Sequence, residues 1–134
     1  MKRILLIDDD KTTSCLHKLV IDVIVKDYGL DAEVHVITDL VQLKSCSLSK
    51  YDLVVIELFI RKLSGVDIIE YVRDRFVHIP IILISNGIFE LEEFIHVGHV
   101  SGAAIKLLDK PLDHREFGSY IKGAFKERSN EILN

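Results

Sequence analysis

A continuous apolar run that ends on an acid is the feature that most constrains this chain. Residues 53–56 are uninterrupted aliphatic sequence, and Glu57 follows them directly within the stretch 51–65. Strands that are buried on both faces have this pattern, and it is typical of parallel sheets. Because sites in open parallel sheets lie at the carboxyl ends of the strands, Glu57 is a candidate functional residue. Without further evidence, Glu57 is explained better as an ordinary polar residue that caps a strand.

Four further apolar runs alternate with helical patterns. They predict strands at residues 4–7, 34–37, 81–84 and 104–108. Five strands alternating with five helices indicate βαβ units, hence an α/β three-layer sandwich with a parallel sheet. The expected strand order is the flavodoxin-type 2-1-3-4-5. Residues 1–128 are predicted to form one domain, and residues 129–134 are predicted to form a C-terminal tail.

The first helix has two predicted features that the structure can test. Its amino-terminal cap is expected at Thr12 or Thr13, and Gly29 is expected to end it. A stripe of apolar residues at helical spacing is expected to face the sheet, formed by Leu16, Leu19, Val20, Val23 and Ile24.

Composition excludes several classes of protein. The 134-residue chain has a net charge of −4, so it lacks the basic surface of a nucleic-acid reader. No apolar run has the length of a transmembrane segment, and the first apolar run ends in three acids, unlike a signal peptide. Cys15 and Cys46 match no metal or redox motif, which favours reduced thiols and a cytoplasmic protein.

Polar side chains follow four of the five predicted strands. They are Asp8, Asp9 and Asp10 after the first strand, Glu57 after the third, Ser85 after the fourth and Lys110 after the fifth. In the expected strand order the acids of the first and third strands meet in one cleft. Clustered carboxylates repel one another unless a cation intervenes, and oxygen ligands of this kind suit Mg²⁺.

These runs resemble the motifs of response-regulator receiver domains, the CheY-like family. The resemblance rests on ILLIDDD at residues 4–10, DLVVIEL at 52–58, SG at 64–65, PIILIS at 80–85 and KP at 110–111. It implies a two-component signalling domain whose strand-three residue accepts a phosphoryl group from a histidine kinase. It further implies roles for particular residues: Mg²⁺ on Asp8, Asp9, residue 57 and the backbone carbonyl of Phe59, phosphoryl oxygens on Ser85 and Lys110, and a cis peptide bond before Pro111.

Two departures from the family pattern decide the functional hypothesis. The acceptor position holds Glu57 instead of Asp, and the switch position, usually aromatic, holds Leu107. The extra methylene moves the carboxylate by about 1.5 Å, one covalent-bond step, and phosphoryl transfer depends on in-line positioning. We therefore expect Glu57 not to be phosphorylated. It either pairs with Lys110 as a partial mimic of the phosphorylated state, or the domain is a rigid docking module, and both remain open.

The resemblance also sets expectations for partners. They are a histidine kinase or a downstream target, with no direct nucleic-acid or membrane contact. A second copy could bind the face made by the fourth helix, fifth strand and fifth helix. Gly118 and Gly123 on the last helix would then permit close approach, or they merely soften that helix.

Alternatives from other classes are weaker. Asp8-x-Asp10-x-Thr12 resembles the first motif of haloacid-dehalogenase-type phosphatases, with Asp8 as nucleophile and Asp10 as acid/base. Flavin binding lacks a phosphate loop after the first strand. His96 and His99, three residues apart, are explained better by a solvated helix end than by a metal site, and nothing near His17 in sequence assigns it a role.

Overall fold

A computed structural model describes residues 1–57, 65–76, 78–85 and 105–133 of the chain. All five predicted strands are present. The first four extend the predicted bounds by one or two residues, and β3 and β4 include the polar residues that end them. The fifth is Ile105–Asp109, where residues 104–108 were predicted. The strands are β1 (Lys2–Ile7), β2 (Ala32–Ile37), β3 (Leu53–Glu57), β4 (Ile81–Ser85) and β5 (Ile105–Asp109).

The five strands form one parallel sheet in the order β2-β1-β3-β4-β5, which confirms the predicted topology. In the central pairing, Ile7 of β1 lies opposite Ile56 of β3. Ser85 of β4 lies opposite Asp109 of β5. This register places the carboxyl ends of β1, β3, β4 and β5 along one edge of the sheet.

Four α-helices fall within the described residues, together with a one-turn 3₁₀ helix at Leu48–Lys50. The α-helices are α1 (Lys11–Asp27), α2 (Leu40–Ser45), α3 (Gly65–Arg75) and α4 (His114–Leu133). The helix expected between β4 and β5 falls in a part of the chain outside the described residues. No described helix is both long enough and apolar enough to cross a membrane.

Helices cover both faces of the sheet, as an α/β three-layer sandwich requires. Alternate strand residues point to opposite faces. One face carries the α1–α4 cluster, in which Leu6 and Val55 meet Ile21 of α1 and Phe117 of α4. The other carries the α2–α3 cluster, and its members include Leu5, Ile56, Leu43, Ile69 and Val72.

Helix α1 is capped by Asp10, so the prediction of a cap at Thr12 or Thr13 is wrong. The Asp10 carboxylate accepts hydrogen bonds from the backbone N–H groups of Thr12 and Thr13, at 2.9 and 3.0 Å. Asp10 lies two and three residues before these threonines, and an N-cap side chain accepts from the backbone N–H groups two and three positions after it. At the other end, Gly29 has a φ of 63°, the left-handed conformation that ends many helices, and this prediction is confirmed.

The buried face of α1 differs from the predicted stripe. Its buried residues are Ser14, His17, Ile21 and Ile24, at helical spacing. Leu16 and Leu19 are 60% and 64% exposed, so most of the predicted stripe faces outward. Two stripes of this helix have helical spacing, and apolarity alone selects the wrong one because a polar serine and histidine occupy the buried one.

The C-terminal helix packs against the end of α1. The Tyr28 ring stacks on His114, with the ring centroids 6.2 Å apart. A Cβ atom on Gly118 would lie 2.3 Å from a ring carbon of Tyr28, whereas one on Gly123 would meet nothing within 4 Å. Tyr28 of the same chain therefore occupies the space beside Gly118. The backbone of α4 is helical through Leu133, beyond the expected start of a tail at residue 129.

Candidate functional site

Parallel pairing brings the polar strand ends to one edge of the sheet. Asp8 follows β1, Glu57 and Ser85 end β3 and β4, and Lys110 follows β5. The backbone N–H of Lys110 donates to the carbonyl oxygen of Ser85 at 2.9 Å, which fixes the end of β5 against that of β4. The structure thus places these four residues, distant in sequence, at neighbouring strand ends.

Strand alternation directs the two acids to the same face of the sheet. Asp8 lies two residues after Leu6, and Glu57 lies two residues after Val55. Leu6 and Val55 both belong to the α1–α4 cluster, so the acids continue its rows toward α1. His17 lies one turn before Ile21 on the buried face of α1 and meets the acids there. The result is a buried polar pocket between the carboxyl edge of the sheet and α1.

Asp8 is buried within a set of donors. Its carboxylate accepts a hydrogen bond from the Thr13 hydroxyl at 2.7 Å and another from the backbone N–H of Asp10 at 3.0 Å. Its Oδ2 also lies 3.4 Å from Nδ1 of His17. Burial acts to raise the pKa of Asp8, but the contacts with His17, Asp10 and Thr13 outweigh it, and the pKa lies below its ordinary value. Asp8 is therefore held as a carboxylate.

Glu57 forms an ion pair at the centre of the pocket. Its Oε2 lies 2.8 Å from the Lys110 ammonium nitrogen, and the two side chains are 4% and 29% exposed. The same oxygen lies 3.9 Å from Nδ1 of His17. Burial raises the pKa of Glu57 above its ordinary value, although Lys110 opposes this through its hydrogen bond and its charge. The buried charge of Glu57 thus costs free energy that the ammonium only partly offsets.

The remaining residues singled out from the sequence lie in different places. Ser85 is fully buried, and Asp9 is half-buried directly after Asp8. Leu107 is half-buried and packs against the α2–α3 cluster, on the opposite face of the sheet from α1. The peptide bond between Lys110 and Pro111 is cis. Phe59, expected to offer a backbone carbonyl to a metal, lies outside the described residues.

His17 is the site residue that sequence reasoning missed. It is nine positions beyond Asp8 and forty before Glu57, so proximity in the chain gave no hint of a shared pocket. The available signal was its spacing from Ile21 and Ile24, which places a histidine on the helix face that packs against the sheet. A described group of three buried metal-ligating side chains results, formed by Asp8, His17 and Glu57, whose donor atoms all lie within 4.8 Å of one another.

Asp10 has a structural part in this arrangement. Its carboxylate accepts from two backbone N–H groups as the cap of α1. The phosphatase alternative needs Asp10 as an acid/base beside Asp8, and an N-cap carboxylate is already engaged with the donors of its own helix. No contact among the described residues supports that alternative.

Comparison with known proteins gives one kind of match. No family model matches the chain, and no curated protein matches its sequence. Among solved structures, a two component transcriptional regulator AraC from Clostridium phytofermentans ISDg is 18% identical with a TM-score of 0.81, and 100% of each chain is covered. A response regulator receiver domain protein from Clostridium thermocellum is 19% identical with a TM-score of 0.76, again over 100% of each chain.

A third similar structure is a CheY-like response regulator receiver domain protein from Methanospirillum hungatei JF-1. It is 19% identical with a TM-score of 0.72, and 98% of each chain is covered. At these identities the likeness concerns the fold. The chain has the CheY-like fold of response-regulator receiver domains, as the sequence motifs predicted.

Proposed function

We propose that this chain is a receiver-like domain of two-component signalling that acts by protein contact, with Glu57 in place of a phospho-accepting aspartate. The observation that carries the proposal is the buried ion pair between Glu57 and Lys110, whose charged atoms are 2.8 Å apart. The CheY-like fold supports the class of protein, and this contact supports the altered chemistry. The domain contributes binding rather than catalysis.

The geometry argues against phosphoryl transfer to Glu57. Transfer requires an acceptor oxygen in line with the leaving group and a cation that bridges acceptor and donor. The Glu57 carboxylate already contacts the lysine that the family resemblance assigns to phosphoryl oxygens. It is also 4% exposed, so a phosphodonor has little access to it. Both features favour a residue that fills the phosphoryl position over one that accepts the group.

Partial mimicry of the phosphorylated state is the form that the ion pair supports. Glu57 carries one negative charge to Lys110, whereas a phosphoryl group carries between about 1.5 and 2 charges and three acceptor oxygens. The contact is therefore weaker and less directional than that of a phosphoryl group. Leu107 has no ring or hydroxyl to couple this contact to the surface. We infer that the domain keeps one conformation for as long as Lys110 stays in contact with Glu57.

Mg²⁺ binding, implied by the family resemblance, fits this pocket less well than the family pattern suggests. Mg²⁺ takes oxygen ligands in an octahedral arrangement and retains several waters. Here a buried imidazole nitrogen lies beside both carboxylates, and an ammonium already contacts Glu57. If Mg²⁺ binds, Asp8, Asp9 and Glu57 are the residues that would hold it.

The proposed partners are signalling proteins, either a histidine kinase or a downstream target. Self-association through the face of the fifth strand and the C-terminal helix stays a second proposal. Gly118 gives it no support because Tyr28 of the same chain occupies the adjoining space. Gly123 has open space beside it. Sedimentation of Gly123→Ala against wild type therefore tests the self-association.

The decisive experiment replaces the acceptor. Wild type, Glu57→Asp and the control Glu57→Gln are incubated with acetyl phosphate and Mg²⁺, and intact mass is measured. We expect only Glu57→Asp to gain the mass of one phosphoryl group, because only its carboxylate is retracted from Lys110. An acyl phosphate on Glu57 of wild type would contradict the proposal.

Amide NMR spectra of the same proteins separate mimicry from plain docking. For mimicry, the wild-type resonances around Lys110 lie between those of Glu57→Asp before and after phosphorylation. If they coincide with those of Glu57→Gln, the ion pair has no influence on conformation and the domain is a rigid docking module.

A further inference from the structure

The imidazole of His17 is buried without a hydrogen-bond partner for one of its nitrogens. The residue is 4% exposed, and Nδ1 has no partner of ordinary hydrogen-bond geometry. That nitrogen points into the pocket, 3.4 Å from Asp8 Oδ2 and 3.9 Å from Glu57 Oε2. A buried polar atom left unpaired costs free energy, and two carboxylate oxygens beside it concentrate negative charge. A cation bound between Nδ1 of His17 and the two carboxylates would remove both costs.

We propose that Asp8, His17 and Glu57 bind a divalent transition-metal ion such as Zn²⁺. Zn²⁺ binds imidazole nitrogen and carboxylate oxygen at about 2.0–2.2 Å, so adjacent ligand atoms around a tetrahedral ion lie roughly 3.4 Å apart. The separations of 3.4 and 3.9 Å from Nδ1 are close to that spacing. Imidazole suits zinc, copper, nickel and cobalt, whereas Mg²⁺ prefers oxygen alone. The ligand set thus selects a different ion from the Mg²⁺ of the family resemblance.

Lys110 and the metal compete for the same oxygen. The ammonium lies 2.8 Å from Glu57 Oε2, and two cations cannot both remain close to that atom without strong repulsion. Lys110 is 29% exposed, so its flexible side chain can move into solvent when an ion enters. A divalent ion would neutralise both carboxylates, which one ammonium cannot. The inference rests on the proposed function for Lys110 as the resident cation, and it makes metal binding the event that releases it.

Cobalt titration monitored by visible absorption tests the site, because tetrahedral Co²⁺ with a nitrogen ligand has intense d–d bands. We expect one-to-one binding by wild type. His17→Leu and the near-isosteric Glu57→Gln should each lose affinity by at least about 100-fold. The matched controls are His96→Ala/His99→Ala, which removes the other closely spaced histidines, and Cys15→Ser, which removes a thiol. Both controls should bind as wild type does.

Two further measurements complete the test. Zn²⁺ should raise the melting temperature of wild type at concentrations where Mg²⁺ does not, and circular dichroism confirms that each variant is folded. Lys110→Gln should bind Co²⁺ about tenfold more tightly, since the competing charge is gone. Equal binding by His17→Leu and wild type, loss of binding in a control, or a preference for Mg²⁺ would overturn the inference. None of these outcomes affects the phosphorylation test of Glu57→Asp, so the two proposals fail separately.

Discussion

At the residue scale, the two buried acids of the pocket have pKa values shifted in opposite directions. Glu57 is nearly fully buried and its pKa is raised despite an ammonium at 2.8 Å. Asp8 is equally buried, yet its pKa is lowered, because donors surround it. The two carboxylates differ because the contacts of Asp8 with His17, Asp10 and Thr13 outweigh its burial, whereas for Glu57 burial outweighs the contact with Lys110. The raised pKa means that the negative charge of Glu57 destabilises the folded domain. A residue that costs stability in this way supports a functional reason for its presence.

Glu57→Gln should stabilise the domain at neutral pH by about 1 kcal/mol, because it removes a buried charge whose partner can be solvated. The folded-state pKa of Glu57 is raised, so wild-type stability falls as pH rises from the ordinary glutamate pKa through the raised one. Glu57→Gln lacks that decline, and the difference between the two proteins vanishes in acid. Urea unfolding between about pH 4 and pH 8 measures it. A wild type more stable than Glu57→Gln at neutral pH would contradict the prediction.

Lys110→Met should be strongly destabilising, in contrast to Glu57→Gln. It leaves the Glu57 carboxylate buried beside Asp8 without the ammonium, which costs about 3 kcal/mol. The double variant Glu57→Gln/Lys110→Met should recover most of that loss. Urea unfolding of all four proteins at neutral pH gives the coupling free energy. Additive effects would show that the two side chains do not interact in solution.

At the element scale, polar residues decide how helices dock. Helix α1 buries Ser14 and His17 and leaves Leu16 and Leu19 exposed. The His17 imidazole lies beside the acids of the pocket, whereas the Ser14 hydroxyl donates to the backbone carbonyl of Lys11. Further along, Tyr28 at its end fills the space beside Gly118 on α4, and His114 stacks on the same ring. Helices α1 and α4 therefore contact each other through the Tyr28 ring, which fits there because Gly118 has no side chain.

The two glycines of α4 should respond differently to replacement by alanine. Gly123→Ala meets open space and should stabilise the domain by up to about 1 kcal/mol through helix propensity. Gly118→Ala gains the same propensity but displaces the Tyr28 ring from His114, so we expect it to be about 1 kcal/mol less stable than Gly123→Ala. Thermal unfolding followed by circular dichroism measures both.

Removing the ring provides the control for this pair. In a Tyr28→Ala background the obstruction is absent, so Gly118→Ala should stabilise as much as Gly123→Ala does. If Gly118→Ala behaves the same with and without the ring, Tyr28 does not pack there in solution.

At the scale of the whole molecule, one sheet serves two apolar clusters. Adjacent residues of a single strand, such as Val54 and Val55, belong to the α2–α3 and α1–α4 clusters respectively. Loss of packing in one cluster should therefore displace the shared strand and disrupt the other cluster as well. The pocket lies at the edge of this shared sheet, so its geometry depends on both clusters.

Unfolding should therefore be a single cooperative transition. The chain has no tryptophan, and its tyrosines report on different faces: Tyr51 packs against the α2–α3 cluster and Tyr120 against the α1–α4 cluster. Single-tyrosine variants that retain one or the other should show the same urea midpoint by fluorescence, coincident with far-ultraviolet circular dichroism. Separate midpoints would mean that the two faces unfold independently.

The sequence by itself determined the parallel sheet, its strand order and the strand ends that carry Asp8, Glu57, Ser85 and Lys110. The strands and their ends follow from local patterns, since apolar runs of strand length and the residues after them are read directly from the chain. The strand order was that of the flavodoxin-type topology expected for alternating strands and helices. Pairing in a parallel sheet then brings the ends together without further information. The expectation that Glu57 pairs with Lys110 came from the length of one side chain and the family resemblance.

Only the tertiary structure decided which face of α1 is buried, and with it the place of His17. Two stripes of that helix have helical spacing, and the rotation of a helix about its axis depends on what the opposite surface offers. Here the opposite surface offers two carboxylates, so a histidine faces inward and leucines face outward. His17 meets the acids, and Tyr28 fills the space beside Gly118, through contacts between residues far apart in the chain. A local sequence pattern does not contain such contacts.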